Sequence, residues 1–217
     1  MISGYPGTEH SINIMKPYVV LVGTASVGKT TVALDLVPMM KEIYGEPVHY
    51  IKEVVRTVQL TYGVKINKEA TSTTQRLIEE EYKRQEDIYH TRVKLADRSI
   101  IDRFSYTILN GGRKVDEEKS KLLKWYDENV ARVCKNYSSI FYIPLADDLP
   151  LTLDGVRSKD EDYRREIDEF QKGIIKSYAI DVHVVKGKHE ERLKTIRKAL
   201  EENRYGSFVR NANKIPK

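Results

Sequence analysis

Short apolar runs alternate with longer stretches of helical periodicity along this chain. Tyr18-Val-Val-Leu-Val22 is a continuous, mostly β-branched run, the pattern of a strand buried on both faces. A Gly-containing loop follows it, then an apolar-periodic helix over Lys29–Ile43, ended by Gly45 and Pro47. Val48–Ile51 predicts a second strand. Thr71–Thr91, polar and free of Gly and Pro, predicts a long helix starting at a Thr or Ser cap. Val93–Ala96 predicts a third strand running into Asp97-Arg98-Ser99. Asn110-Gly-Gly112 marks a loop, and Val115–Lys135 a helix with Leu122, Leu123, Tyr126, Val130 and Val133 facing inward. Ser139–Ile143 and Val182–Val185 predict the fourth and fifth strands, and His189–Glu202 a closing helix. Strands and helices in alternation predict a parallel sheet with helices on both faces. No repeat, low-complexity tract or dividing linker interrupts it.

At 217 residues, 40% of them hydrophobic, the chain suits one α/β domain with a full core. No apolar run is long enough to span a bilayer, and Met1–His10 lacks a signal-peptide pattern. The lone Cys134 forms no internal disulfide and no cysteine-based zinc site. The expectation is a soluble, cytoplasmic protein without membrane contact. Charge is uneven: residues 186–217 carry ten Lys or Arg against four Glu, whereas residues 1–185 carry 27 against 28 Asp and Glu. That basic end reads either as a solvated helix with a ragged terminus or as a contact for a polyanion.

The strongest chemical signal is Gly23-Thr24-Ala25-Ser26-Val27-Gly28-Lys29-Thr30, with Thr31 behind it. It fits G-x-x-x-x-G-K-[ST] between a strand and a helix, the Walker A phosphate loop. Its glycines let the backbone wrap phosphates, and its N–H groups and the helix N-terminus face the negative charge. Lys29 adds a point charge between the β- and γ-phosphates, and the Thr30 hydroxyl is a ligand for Mg²⁺. The implied cofactors are ATP and Mg²⁺.

Three further segments point to a kinase. Asp97 and Arg98 end the third strand, where a parallel sheet faces its ligand; Asp97 would hold Mg²⁺ or take the acceptor proton, and Arg98 would grip a phosphate. Glu53, just past the second strand, is the alternative base. Asp154-Gly-Val-Arg157-Ser158, followed by Arg164, suits a lid over about residues 150–177 whose arginines neutralise the transferred phosphoryl group and exclude water. Lys29, Glu53, Asp97, Arg98, Arg157 and Arg164 are the catalytic candidates, with Thr30 and Asp97 toward metal. The five His residues have no metal-ligand spacing. Trp125 reads as a packing anchor, His183 as a core or edge histidine, and the run Glu79–Arg84 as a solvated helix face.

With Glu53-Val-Val-Arg56, Gln75, Asp97–Asp102, Asp154–Arg157 and Gly187-Lys-His-Glu-Glu-Arg192, these features resemble the small P-loop kinases with a nicotinamide riboside kinase-like (NadR-like) ATPase domain, from about Tyr18 to Leu200. The resemblance implies a three-layer P-loop NTPase sandwich: a five-stranded parallel sheet in order 2-3-1-4-5, with an Arg-bearing helical lid. It implies a donor site that adds Gly187 and Arg192 on the adenine side, and an acceptor pocket between the second and third strands and the long helices. The kinase domain would span residues 1–203 and a basic tail 204–217. The family also includes bacteriophage kinases that phosphorylate hydroxymethylpyrimidines in DNA. The acceptor is therefore a nucleoside-like hydroxyl, either in DNA, held through the basic tail (Arg204, Tyr205, Phe208, Arg210, Lys214, Lys217), or on a free nucleoside, nucleotide or nicotinamide riboside. A regulatory ATP-binding module without an acceptor is the competing class.

Overall fold

In the computed structural model, residues 16–52, 54–66, 69–89, 92–110, 115–145 and 161–212 are described, with side chains to Arg204. Strand β1 (Tyr18–Val22) leads into helix α1 (Lys29–Tyr44), then β2 (Val48–Ile51), α2 (Val54–Tyr62) and α3 (Ser72–Ile88). Strand β3 (Val93–Ala96) precedes α4 (Ile100–Leu109) and α5 (Glu117–Cys134). Strand β4 (Ser139–Tyr142), α6 (Glu161–Ser177), β5 (His183–Val184) and α7 (His189–Ala212) complete the order.

All strand pairs are parallel, and the sheet runs β2-β3-β1-β4-β5. The β1 run explains the layering. Tyr18, Val20 and Val22 face a core shared with Val54, Ile78, Tyr82, Ile101, Phe104, Tyr126 and Ile174. Val19 and Leu21 face the other, with Val32, Leu36, Met40, Ile196 and Leu200. Side chains alternate across a strand, so a run apolar at every position has a core on both faces. Helices α2 to α6 supply one layer, and α1 and α7 the other. Adjacent strands β1 and β3 lead into helices on opposite faces of the sheet, α1 and α4, so the crevice opens at their carboxyl ends, beside the phosphate loop.

Local chemistry sets most boundaries. Helix α3 starts where expected because the Thr71 side chain accepts from the Thr74 N–H at 3.2 Å. Helix α5 starts at Glu117, two residues later than predicted, because Asp116 Oδ1 accepts from the Lys119 N–H at 2.7 Å. Gly45, at φ 70°, closes α1, and its N–H donates to Lys41 O. Helix α7 continues to Ala212, ten residues beyond the predicted end. Helices α2 and α4 were not predicted: α2 is short and rich in β-branched residues, and α4 is short and buried along nearly its whole length.

Candidate functional site

The loop between β1 and α1 bends through left-handed backbone at Ser26 (φ 62°) and Gly28 (φ 88°). Gly23 admits no side chain, since a Cβ there would lie 2.5 Å from the Ile143 carbonyl oxygen. The loop is held from behind. Asp102 Oδ1 accepts from the Gly23 N–H at 3.2 Å and from Gln171 Nε2 at 3.1 Å, while Oδ2 accepts from the Ser99 N–H at 2.8 Å. One buried carboxylate thus ties together β1, the cap of α4 and α6. The sequence reading quoted Asp102 without giving it a role; the signal that reveals it is the Ser99-x-x-Asp102 capping box.

Lys29 is buried, and its Nζ donates to Gly23 O and Thr24 O, each at 2.7 Å. Burial, then the charge of Arg98, pushes its pKa down, against the pull of Asp97 and Asp102. Thr30 Oγ1 donates to Asp97 Oδ2 at 2.5 Å. Asp97 Oδ1 is buried without a hydrogen-bond partner, as are Thr24 Oγ1 and Ser26 Oγ. Residues Ala25, Ser26, Gly28, Lys29, Thr30, Thr31, Asp97 and Arg98 line one cavity, the candidate phosphate cradle. Thr30 and the orphaned Asp97 oxygen form a hard-oxygen pair of the kind Mg²⁺ takes while keeping its waters. Among the described residues no group of three or more His, Cys, Asp or Glu forms a protein cage. The residues fit magnesium at a phosphate site better than a self-contained metal centre.

Two arginines reach the cradle from distant parts of the chain. Arg164, on α6, donates from Nε to Ala25 O at 3.1 Å, and its Nη2 is buried without a partner. Arg192, on α7, donates from Nη1 to Val27 O at 2.6 Å and from Nε to Gly187 O at 2.8 Å. The segment after β5 and the start of α7 therefore lie against the phosphate loop. Val27, which donates no functional side chain, is buried in the core under α1. Glu53 and Arg157 lie outside the described residues.

A second pocket opens beside the cradle, lined by Val55, Ile66, Gln75, Ile78, Tyr82, Arg98, Arg103, Tyr106 and Asn110. Arg98 belongs to both cavities, its guanidinium 4.8 Å from the Tyr106 ring centre. Burial raises the Tyr106 hydroxyl's pKa, but Arg98 and Lys29 outweigh it and bring the value below its ordinary position. The pocket floor is ionic. Arg103 is buried over the Tyr82 ring, 4.3 Å from its centre, and contacts Glu79 at 2.8 Å and Glu86 at 3.7 Å. Tyr126 donates to Glu79 at 2.8 Å and Tyr18 to Glu86 at 2.8 Å.

This corrects in part the reading of Glu79–Arg84 as a solvated face: Glu79 and Tyr82 turn inward, while Glu80, Lys83 and Arg84 stay exposed. Trp125 is 37% exposed, its edge on Tyr126, so it anchors less than predicted. His183 stands exposed on the edge strand β5.

Sheet order, phosphate loop and cradle together define a P-loop NTPase fold. Residues 18–192 match the AAA domain family AAA_28, and the chain belongs to that family. Two crystal structures of NadR protein share the fold at 17% identity. The complex with NAD and AMP-PNP has a TM-score of 0.64 over 87% of this chain and 49% of NadR; that with NR has 0.66 over 87% and 52%. The chain thus spans about half the length of the NadR chains it matches. Thymidylate kinase from Candida albicans matches at 11% identity and a TM-score of 0.53, over 88% of this chain and 93% of the kinase. A comparison with curated proteins finds none that matches. Among the described residues, no helix is long and apolar enough to cross a membrane.

Proposed function

We propose that this protein is an ATP-dependent kinase that transfers the γ-phosphate to a hydroxyl of a nucleoside-like acceptor. The observation that carries this reading is the position of Arg98, which lines both the phosphate cradle and the neighbouring pocket. A switch or a plain hydrolase needs the first cavity; the second, joined to it by a cation, suits a co-substrate. Its tyrosines, aliphatic residues and the two amides Gln75 and Asn110 suit a flat ring with polar edges. The fold shared with NadR and a thymidylate kinase is consistent with such an acceptor.

In this reading residues 23–31 wrap the phosphates with backbone N–H groups. Lys29 leaves its two carbonyl partners for the β- and γ-phosphates. Thr30 and Asp97 hold Mg²⁺, which when bound offsets phosphate charge. Arg98 and Arg164 stabilise the charge that develops on transfer, joined by Arg157 from the lid segment that leads into α6. Glu53 receives the acceptor proton, with Asp97 as the alternative. Gly187 and Arg192 border the adenine side. Residues 1–203 make up the kinase domain. The basic segment 204–217 offers a contact for DNA if the acceptor is a hydroxymethylpyrimidine within a strand, as in bacteriophage DNA modification.

The test is label transfer from γ-labelled ATP with Mg²⁺. The acceptors are free nucleosides and nucleotides, nicotinamide riboside, and duplex DNA with and without 5-hydroxymethylpyrimidines. Label on modified DNA alone assigns a DNA-modifying kinase and gives the tail its purpose. Label on a free compound assigns a small-molecule kinase. ATP binding without transfer to any acceptor overturns the kinase reading in favour of a regulatory module.

A further inference from the structure

The first turn of α6 bonds a wall residue of each cavity through two adjacent side chains. The Tyr163 hydroxyl donates to Asn110 Oδ1 at 2.6 Å, and its ring lies 6.2 Å, edge-on, from that of Tyr106. Asn110 and Tyr106 are both walls of the second pocket. The next residue, Arg164, is bonded to Ala25 in the phosphate loop and is 3% exposed. Asn110 is itself clamped, since the buried Lys119 donates from Nζ to Asn110 O at 2.6 Å and to Ile108 O at 3.1 Å. Deeper along α6, Asp168 accepts from the Tyr142 hydroxyl at 2.6 Å, and Gln171 bonds Asp102. The body of the helix is therefore fixed to the sheet, and its first turn is the part poised between the two cavities.

We propose that Tyr163 is a positioning residue: through its bond to Asn110 it sets the first turn of α6, and with it the reach of Arg164 toward the phosphates. Asn110, on the acceptor wall, thereby tunes the donor cradle without lining it. The link is short and directional. One hydroxyl spans α4 to α6, and one peptide unit separates it from a guanidinium with a spare, buried Nη2. Burial holds the Tyr163 hydroxyl's pKa well above its ordinary value, so it stays a donor at neutral pH. The inference rests on the kinase reading, because it requires a nucleotide phosphate for Arg164 to meet.

The experiment measures affinity for Mg²⁺·AMP-PNP by calorimetry on the full chain. The variants are Tyr163→Phe, Asn110→Ala, Arg164→Ala and Tyr163→Phe combined with Arg164→Ala. Neither Tyr163 nor Asn110 lines the cradle, yet loss of their shared hydrogen bond is expected to weaken nucleotide binding about 3- to 10-fold. The combined variant should bind within about 2-fold of Arg164→Ala alone, because the effect passes through that arginine. Thermal melts run alongside. A lower melting temperature with unchanged affinity in Tyr163→Phe makes the bond merely structural and overturns the proposal. Additive losses in the combined variant overturn it as well. If the wild-type chain fails to bind Mg²⁺·AMP-PNP, the kinase reading falls and this proposal with it, whereas binding with independent mutants sinks only the coupling.

Discussion

The two cavities are made from different materials. The phosphate cradle draws most of its wall from one contiguous stretch, Ala25 to Thr31, and shapes it through backbone dihedrals. The second pocket takes side chains from α2, α3, α4 and the loops beside them, scattered from Val55 to Asn110, and rests on buried charge. A ligand met by backbone is recognised in any sequence that makes the turn, while one met by side chains is recognised only by these side chains. The first cavity should therefore bear side-chain truncation at most positions, and the second should not.

The largest effect lies under the second pocket. Glu79→Ala leaves Arg103 buried with only the longer contact to Glu86, and strips the Tyr126 hydroxyl of its acceptor. Uncompensated buried charge puts the cost at about 3 kcal/mol of stability, measurable as a lower denaturant midpoint. The pair Glu79→Leu with Arg103→Met, which removes both charges, should recover most of it. If Glu79→Ala is neutral, the ionic floor does not hold the pocket, and the contrast between the two cavities weakens.

Lys29→Ala comes next, and it divides function from folding. Phosphoryl transfer should fall at least ~100-fold, as it does when a charge-stabilising donor is lost. Stability should change by less than about 1 kcal/mol, since the lysine sits desolvated beside Arg98 and its removal also removes that burden. Activity within a few-fold of wild type would remove the lysine from the reaction.

Gly23→Ala tests the claim that backbone shapes the cradle. The added carbon meets the Ile143 carbonyl at 2.5 Å, and at φ 154° the backbone is one that side chains rarely adopt. The expected loss is about 2 kcal/mol, read from thermal melts, with nucleotide affinity falling in step. A variant as stable as wild type would show that the loop yields easily.

The same contrast decides how much was legible in the sequence. Four strands are as predicted to within a residue: β1, buried on both faces, writes itself as an unbroken apolar run, and the other three as short apolar-rich runs with one polar position each. The fifth, Val182–Val185, is only His183–Val184 in the sheet. The cradle was legible because its residues are neighbours in the chain and backbone geometry demands glycine. Arg164 and Arg192, both singled out in the sequence, bond the loop backbone at Ala25 and Val27. The network of Asp102, Glu79, Arg103 and Tyr163 was legible only in its local part, the Ser99–Asp102 capping box. Its other bonds join residues on separate elements, and a charged residue looks the same in sequence whether solvated or paired in a core. The run Glu79–Arg84 shows the difficulty: its two inward members are spaced i, i+3, as on one helix face, yet acidic and basic neighbours mask the period.

The smallest effect, and the closest test of the contrast, is Ser26→Gly. Ser26 sits at φ 62°, where a side chain costs roughly 1 kcal/mol, and among the described residues its Oγ has no hydrogen-bond partner. Glycine relieves that strain but gives the unfolded chain more freedom to lose, a penalty of about the same size. Melting of the nucleotide-free variant should therefore stay within about 0.5 kcal/mol of wild type. The informative number is the added stability on saturating Mg²⁺·ATP, which follows affinity by linkage. If the cradle grips phosphate by backbone alone, the added stability is unchanged. If it falls by more than about 1 kcal/mol, Ser26 Oγ is itself a phosphate ligand, and the donor side shares the side-chain dependence of the acceptor side.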